Sequence, residues 1–363
     1  SGRQIQLFQR LPPVSFIALW GDTLRIGNRD GEALNYLFEP QHATPLPPIA
    51  PNDATCPASA GQVIATRDLQ AAQLVADPVR DRMYALVGGT GLYAGELVTL
   101  NGSTGAILSH VDLGALPSHA DIAFDGSVLW VVLGNPPQLR RVDLSGDEPV
   151  PGALIPPPPL SSFDPERYLG DLAVGTGTTD TVVVSFSDGG QNRSIALYMD
   201  GVLRDVSPAA ADSLVPGPFG YFFGSQDTTT LLRVDDRHLN QIGSVANASQ
   251  LHYQQDRLIA VTSGYIDVLD VHDPERPSTL MNLPSADVAL PDIPKQRVWA
   301  LIAGSNRQAI QLVENNLDTA TSTSTPLNST GYPKDFVRTA SGCFAFLTGD
   351  GDQTTLVLFA PPR

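Results

Sequence analysis

Short apolar runs recur along the chain, separated by polar or glycine-rich breaks. Seven of them are Met83–Gly88, Val128–Leu133, Thr181–Phe186, Tyr221–Gly224, Leu258–Thr262, Val298–Ile302 and Cys343–Thr348. They are too short for helices and rich in β-branched and aromatic residues, so they read as strands buried on both faces. Each is preceded by a phrase that opens on a polar residue. The phrases are Gln73-Leu74-Val75-Ala76, Asp121-Ile122-Ala123-Phe124, Asp171-Leu172-Ala173-Val174, Asp212-Ser213-Leu214-Val215, Gln250-Leu251-His252-Tyr253, Asp287-Val288-Ala289-Leu290 and Asp335-Phe336-Val337. Each apolar run is followed by a third run, from Glu96–Leu100 in the first unit to Thr354–Phe359 in the last. A fourth run closes six of the units, from Ala106–Leu113 to Thr319–Ser324.

The seventh fourth run is not missing. It lies ahead of the first phrase, at Gln62–Leu69, where Gly61-Gln62-Val63-Ile64-Ala65-Thr66 matches the pattern of Gly105-Ala106-Ile107-Leu108-Ser109. A four-stranded unit repeated seven times, roughly every 37–50 residues, is the signature of a β-propeller. The chain is therefore expected to be all-β: a seven-bladed propeller whose last blade is closed by an N-terminal strand at about 62–69. Closure of this kind removes two open sheet edges. Residues 1–61 do not fit the repeat. Strand-like composition at Ile5–Phe8, Phe16–Trp20 and Thr23–Gly27, followed by the stiff Pro45–Pro51 stretch, predicts a small β-rich appendage and linker over 1–61, with the propeller over 62–363.

Two segments carry a family resemblance. Asp121–Val132 (Asp-Ile-Ala-Phe-Asp-Gly-Ser-Val-Leu-Trp-Val-Val) resembles the bacterial repeats called YVTN or NHL-like propellers, and so does Gln73–Val87, with its Asp77-Pro78 and Tyr84-Ala85-Leu86-Val87. The resemblance implies the fold over residues 62–363. It leaves function open, because such propellers include enzymes, adhesins and scaffolds.

Charge narrows the partners. The formal net charge is -16, which opposes nucleic acid and anionic lipid and suits cations or a basic partner. No apolar run approaches the ~20 residues that span a bilayer. Cys56 and Cys343 have no metal-site spacing. Cys343 opens the second strand of the last blade, and Cys56 stands six residues before the closing strand, whose start lies at the same end. A Cys56–Cys343 disulfide locking the ring is expected, and with it an oxidising, extracytoplasmic setting: periplasm, cell surface or medium.

In a propeller the first strand of each blade lines the central channel. The opening residues of the phrases, Gln73, Asp121, Asp171, Asp212, Gln250, Asp287 and Asp335, would then encircle the channel mouth, with His119, His252, Tyr168, Lys334 and Arg338 nearby. Two roles stand open for them. Asp121, Asp171, Asp287 and Asp335 suit Ca²⁺ or another hard cation, which takes 6–8 oxygen ligands. The same residue types also cap backbone amides at strand starts. No nucleophile elbow or His-Glu-x-x-His motif is present. The glycine run Gly88-Gly89-Thr90-Gly91 has no following helix and reads as a turn, not a phosphate cradle. The expected function is an extracytoplasmic binding or scaffold module, a monomer that docks a protein or glycan on a loop face as part of a larger surface protein or adhesin. The longest insertions, 151–166 and 318–333, are the loop candidates. The alternative is a lactonase- or lyase-like enzyme using the channel mouth.

Overall fold

A computed structural model describes residues 56–362, except 90, 158–167, 188–192, 219, 227–228, 236, 246–247, 305–308 and 351–352, together with three strands nearer the N-terminus. The chain divides into two compact units, Ser1–Pro47 and Pro48–Arg363. The first unit carries an antiparallel sheet of β1 (Val14–Trp20), β2 (Thr23–Asn28) and β3 (Ala33–Leu37). The expected Ile5–Phe8 strand and the Pro45–Pro51 stretch lie outside the described residues. β3 was not anticipated.

The second unit is a seven-bladed β-propeller of four-stranded antiparallel sheets. β4 (Val63–Asp68) comes first in sequence and is last in the ring. Blade 1 is β5 (Ala71–Ala76), β6 (Arg82–Val87), β7 (Glu96–Asn101) and β8 (Ile107–Asp112). Blade 2 is β9 (Pro117–Ile122), β10 (Val128–Leu133), β11 (Gln138–Asp143) and β12 (Val150–Ile155). Blade 3 runs β13 (Tyr168–Val174), β14 (Thr181–Ser187), β15 (Arg193–Met199) and β16 (Val202–Ser207). In blade 4 these are β17 (Ser213–Pro216), β18 (Tyr221–Ser225), β19 (Thr229–Asp235) and β20 (His238–Val245). Blade 5 has β21 (Gln250–Gln254), β22 (Arg257–Val261), β23 (Tyr265–Asp270) and β24 (Ser278–Pro284). Blade 6 has β25 (Val288–Asp292), β26 (Arg297–Ala303), β27 (Ile310–Asn316) and β28 (Thr321–Leu327). Blade 7 joins β29 (Tyr332–Arg338), β30 (Phe344–Asp350) and β31 (Gln353–Phe359) to β4. The innermost strands β5, β9, β13, β17, β21, β25 and β29 touch in turn, and β29 returns to β5, so the ring is closed.

The core sits in the seams between blades. Seven apolar clusters fill them, one for each pair of neighbours. This is why the second strands are apolar at consecutive positions: β10 is buried along its whole length. Trp130 fills the seam between blades 2 and 3, and its Nε1–H donates to the Thr179 carbonyl at 2.9 Å. Trp299 packs edge-on against Phe344 in the seam between blades 6 and 7, with ring centroids 5.2 Å apart. The glycine run after β6 has a packing cause. A Cβ on Gly88 would meet the Pro117 carbonyl at 2.9 Å, and one on Gly89 or Gly91 would strike the Gln70 side chain. The outer strands are mostly exposed, as in β8, β12 and β28. The 318–333 insertion is not a free loop, because β28 pairs with β27 along its full length. Pro151–Ile155 likewise belongs to β12, and 158–166 lies outside the described residues.

Cys56 and Cys343 form a disulfide. It joins the lead-in to β4 with the residue just before β30, beside the apolar seam between blades 7 and 1. The bridge spans 287 residues of sequence, almost the whole ring. Cys56→Ser/Cys343→Ala should fold with unchanged far-ultraviolet circular dichroism and a lower urea midpoint. The chain-entropy model sets the loss at about 6 kcal/mol. An unchanged midpoint would show that the pairing of β4 with β31 closes the ring unaided.

Candidate functional site: the central channel

The inner strands surround a cavity of 630 Å³. Of the seven phrase-opening residues and two histidines expected at the mouth, eight line it: Gln73, Asp121, Asp171, Asp212, Gln250, Asp335, His119 and His252. Asp287 does not. It is exposed just before β25, and its carboxylate accepts the Ala303 N–H of its own blade at 2.6 Å. Arg338 is also on the wall, whereas Lys334 is not part of it. The Tyr168 side chain lies outside the described residues.

The phrases do not start their strands in a common register. Gln73 is the third residue of β5 and lies opposite Leu86. Asp121 is the penultimate residue of β9, opposite Trp130. Asp171 and Asp335 sit inside β-bulges, between Leu169 and Leu172 and between Lys334 and Phe336. Asp212 and Asp287 precede their strands altogether. A bulge inserts one residue and turns the following side chains to the opposite face. The opening residue of the phrase therefore occupies a different strand position from blade to blade.

Four of them bond to the next blade. The Gln73 Oε1 accepts the Ala120 N–H of blade 2 at 2.6 Å. The Asp121 Oδ2 accepts Val174 N–H of blade 3 at 2.8 Å, and the Asp171 Oδ2 accepts Leu214 N–H of blade 4 at 2.8 Å. The Asp335 Oδ2 accepts Leu74 N–H at 3.0 Å across the junction between the last blade and the first. Asp121 and Asp171 also accept their own following amides, Ile122 and Leu172, at 2.9 Å each. Between blades 5 and 6 the acceptor is Gln254, whose Oε1 takes the Ile293 N–H at 2.9 Å. Nothing in the sequence marks Gln254, the fifth residue of its phrase, apart from the other polar residues of that strand. Blades 4 and 5 are joined by the Ser225 hydroxyl donating to the Ala248 carbonyl. Arg338 of blade 7 donates to Asp292 of blade 6 at 3.1 Å. Every seam thus carries a polar stitch at its inner side.

Backbone capping accounts for Asp121, Asp171, Asp287 and Asp335, and three of the six capped amides belong to the neighbouring blade. Among the described residues, no three His, Cys, Asp or Glu side chains gather closely enough to hold a metal ion. Burial inside the ring pushes the Asp121 carboxyl up to about 7, partly offset by its bonds to Val174 and Ile122. Burial likewise raises Asp335 to about 7 and Asp171 to about 6. It lowers His252 to about 4 and depresses His119 in the same direction. The channel therefore holds neutral imidazoles beside carboxyls that ionise near neutrality. His119 Nδ1, His252 Nε2 and Ser118 Oγ are buried with no hydrogen-bond partner among the described residues.

Among solved structures the chain is similar to one titled as the structure of U3-55K, with 11% identity, a TM-score of 0.57, and coverage of 82% of this chain and 98% of that one. The WD40 repeats of RRP9 match with 11% identity and a TM-score of 0.57, covering 82% of this chain and 97% of the other. A functionally unknown protein from Desulfotomaculum acetoxidans matches with 9% identity and a TM-score of 0.54, covering 96% and 99%. At these identities the likeness is one of fold. No family model and no curated protein matches the sequence.

Two predictions follow from the stitches. Asp335→Ala leaves the N–H of the buried Leu74 without its acceptor, which costs about 1–3 kcal/mol in urea unfolding. The second concerns pH. A carboxyl whose pKa rises on folding holds its proton more tightly in the folded chain. Its contribution is complete below the unfolded value and is lost as the pH climbs through about 7. A histidine lowered to about 4 works the other way, and its contribution is lost as the pH falls from its unfolded value through 4. Between about pH 4 and 7, Asp121→Asn should weaken any gain in stability on acidification, and His252→Asn should strengthen it. Parallel stability–pH curves for both variants and the parent would contradict this assignment.

Proposed function

We propose that this propeller is an extracytoplasmic binding scaffold of the YVTN/NHL-like kind, acting within a larger surface protein or adhesin. Its partner is a protein. The observation that carries this reading is the outer surface of three consecutive blades. The outer strands β8, β12 and β16 each expose two aliphatic side chains: Ile107 and Leu108, Val150 and Leu154, Val202 and Val206. Their exposures run from 37% for Ile107 to 61% for Val150, high for aliphatic residues on a surface that is otherwise acidic. Exposed aliphatics on sheet edges suit an apolar protein surface better than a glycan. The two-point fastening of the ring, by strand and by disulfide, supports a rigid frame and an oxidising setting.

The enzyme reading keeps one observation in its favour, the carboxyls of Asp121 and Asp335 that titrate near 7 inside the cavity. Against it, at least one oxygen of each carboxylate is bound to a backbone amide, and His119 and His252 are held neutral.

The triple variant Leu108→Glu/Leu154→Glu/Val202→Glu should keep the parent melting temperature within about 2 °C, since these side chains are exposed. It should lose a partner that the parent captures from extracytoplasmic extract. Capture of the same partner by both proteins would remove the outer strands from the docking surface.

A further inference from the structure

We propose that the central channel is a binding site for a small alkylammonium cation, an aliphatic diamine being the simplest example. This site is separate from the outer docking surface.

The argument starts from the imbalance of donors and acceptors on the wall. The carboxylates of Asp121, Asp171 and Asp335 face the cavity, and their backbone amide donors leave lone pairs over. His252 lines the cavity as a partly buried ring, and its buried Nε2 has no hydrogen-bond partner among the described residues. His119 Nδ1 is unpartnered in the same way. Burial keeps both imidazoles neutral, so each ring retains one acceptor nitrogen. Among the lining residues, Arg338 is the one side chain that is always cationic, and it is engaged with Asp292, whose side chain is 3% exposed. The cavity wall is therefore rich in acceptors, and its acidic side chains outnumber its cationic ones. Its complement is a cation with several N–H donors.

The nature of that cation follows from the geometry. A metal ion needs carboxylates that converge, and no such group is found among the described residues. These carboxylates cannot swing together without breaking the bonds that join the blades. A cation whose donors are set apart on a chain can meet them where they are. Leucines complete the wall, with Leu74, Leu172 and Leu251 buried beside the acceptors. They suit the hydrocarbon stem that joins one ammonium to the next. The volume of 630 Å³ falls within the range of small-molecule sites. An alkylammonium group reaches such a site either on a free amine or on the lysine side chain of a partner.

Titration calorimetry on the whole chain at pH 8, in low salt, tests the proposal with 1,4-diaminobutane as probe. Saturable binding at one site is expected. The uncharged isostere 1,4-butanediol should bind at least tenfold more weakly, and calcium chloride should not compete. A lysine-containing tripeptide, amidated and acetylated, is the arm that separates a partner's side chain from a free amine. Tighter binding of the tripeptide assigns the site to a protein partner, and tighter binding of the diamine assigns it to a metabolite. Asp121→Asn and His252→Phe should each weaken diamine binding tenfold or more, whereas the Leu108→Glu/Leu154→Glu/Val202→Glu variant should bind it as the parent does. Should Asp121→Asn not fold, the comparison of diamine with diol on the parent protein decides. Equal binding of diamine and diol, absence of diamine binding, or displacement by calcium would overturn the proposal.

Discussion

The pairing of β4 with β31 is the contact on which the ring depends. Six blades are hairpin meanders built from consecutive chain, whereas the seventh draws its outer strand from more than 280 residues away in sequence. Antiparallel bonds from Thr355–Asp68 to Phe359–Val63 make that junction. Without it, β31 would end the ring with an unpaired edge, and the seam between blades 7 and 1 would lose Ile64 and Ala65 from its packing. Closure also gives the inner stitches their meaning. The bond from Asp335 to Leu74 exists because the last blade is held against the first.

The stitches show how a propeller reconciles two demands. Seams built from Val, Leu and Phe tolerate sliding, because apolar contact has little directional preference. Hydrogen bonds do have direction. A carboxylate from one inner strand to a backbone amide of the next fixes the offset between blades at the point nearest the axis. The cost is burial of Asp121, Asp171 and Asp335, visible in their raised pKa values. Neutral histidines on the same wall avoid adding a second desolvated charge.

The fold was legible because strand alternation and turn chemistry are local. Seven apolar second strands such as Val128–Leu133 can be counted, and one surplus strand before Gln73 forces closure from the N-terminal side. The Cys56–Cys343 pair followed from that topology. The channel was read less accurately because bulges are not local in this sense. Nothing in Asp335-Phe336-Val337 announces the extra residue that shifts its register, and Asp287-Val288-Ala289 resembles Asp121-Ile122-Ala123 in sequence while Asp287 itself stands off the cavity wall. The 318–333 segment read as an insertion around the short fourth run Thr319–Ser324, whereas the strand continues to Leu327. It is a strand because an outermost strand needs only one partner and faces solvent on the other side.

The position of the disulfide has a mechanical consequence. Tension applied between the segment before Cys56 and the C-terminal end passes through the sulfur–sulfur link to Cys343 and then along the final strands. Residues 57–342, which hold β4, six complete blades and β29, lie in a loop that the covalent force path bypasses. Only β30, β31 and the tail beyond them stand in the force path, so a pull could extract at most the residues after Cys343. Under load the ring would behave as a short coupling in which the outer faces of blades 1 to 3 keep their shape.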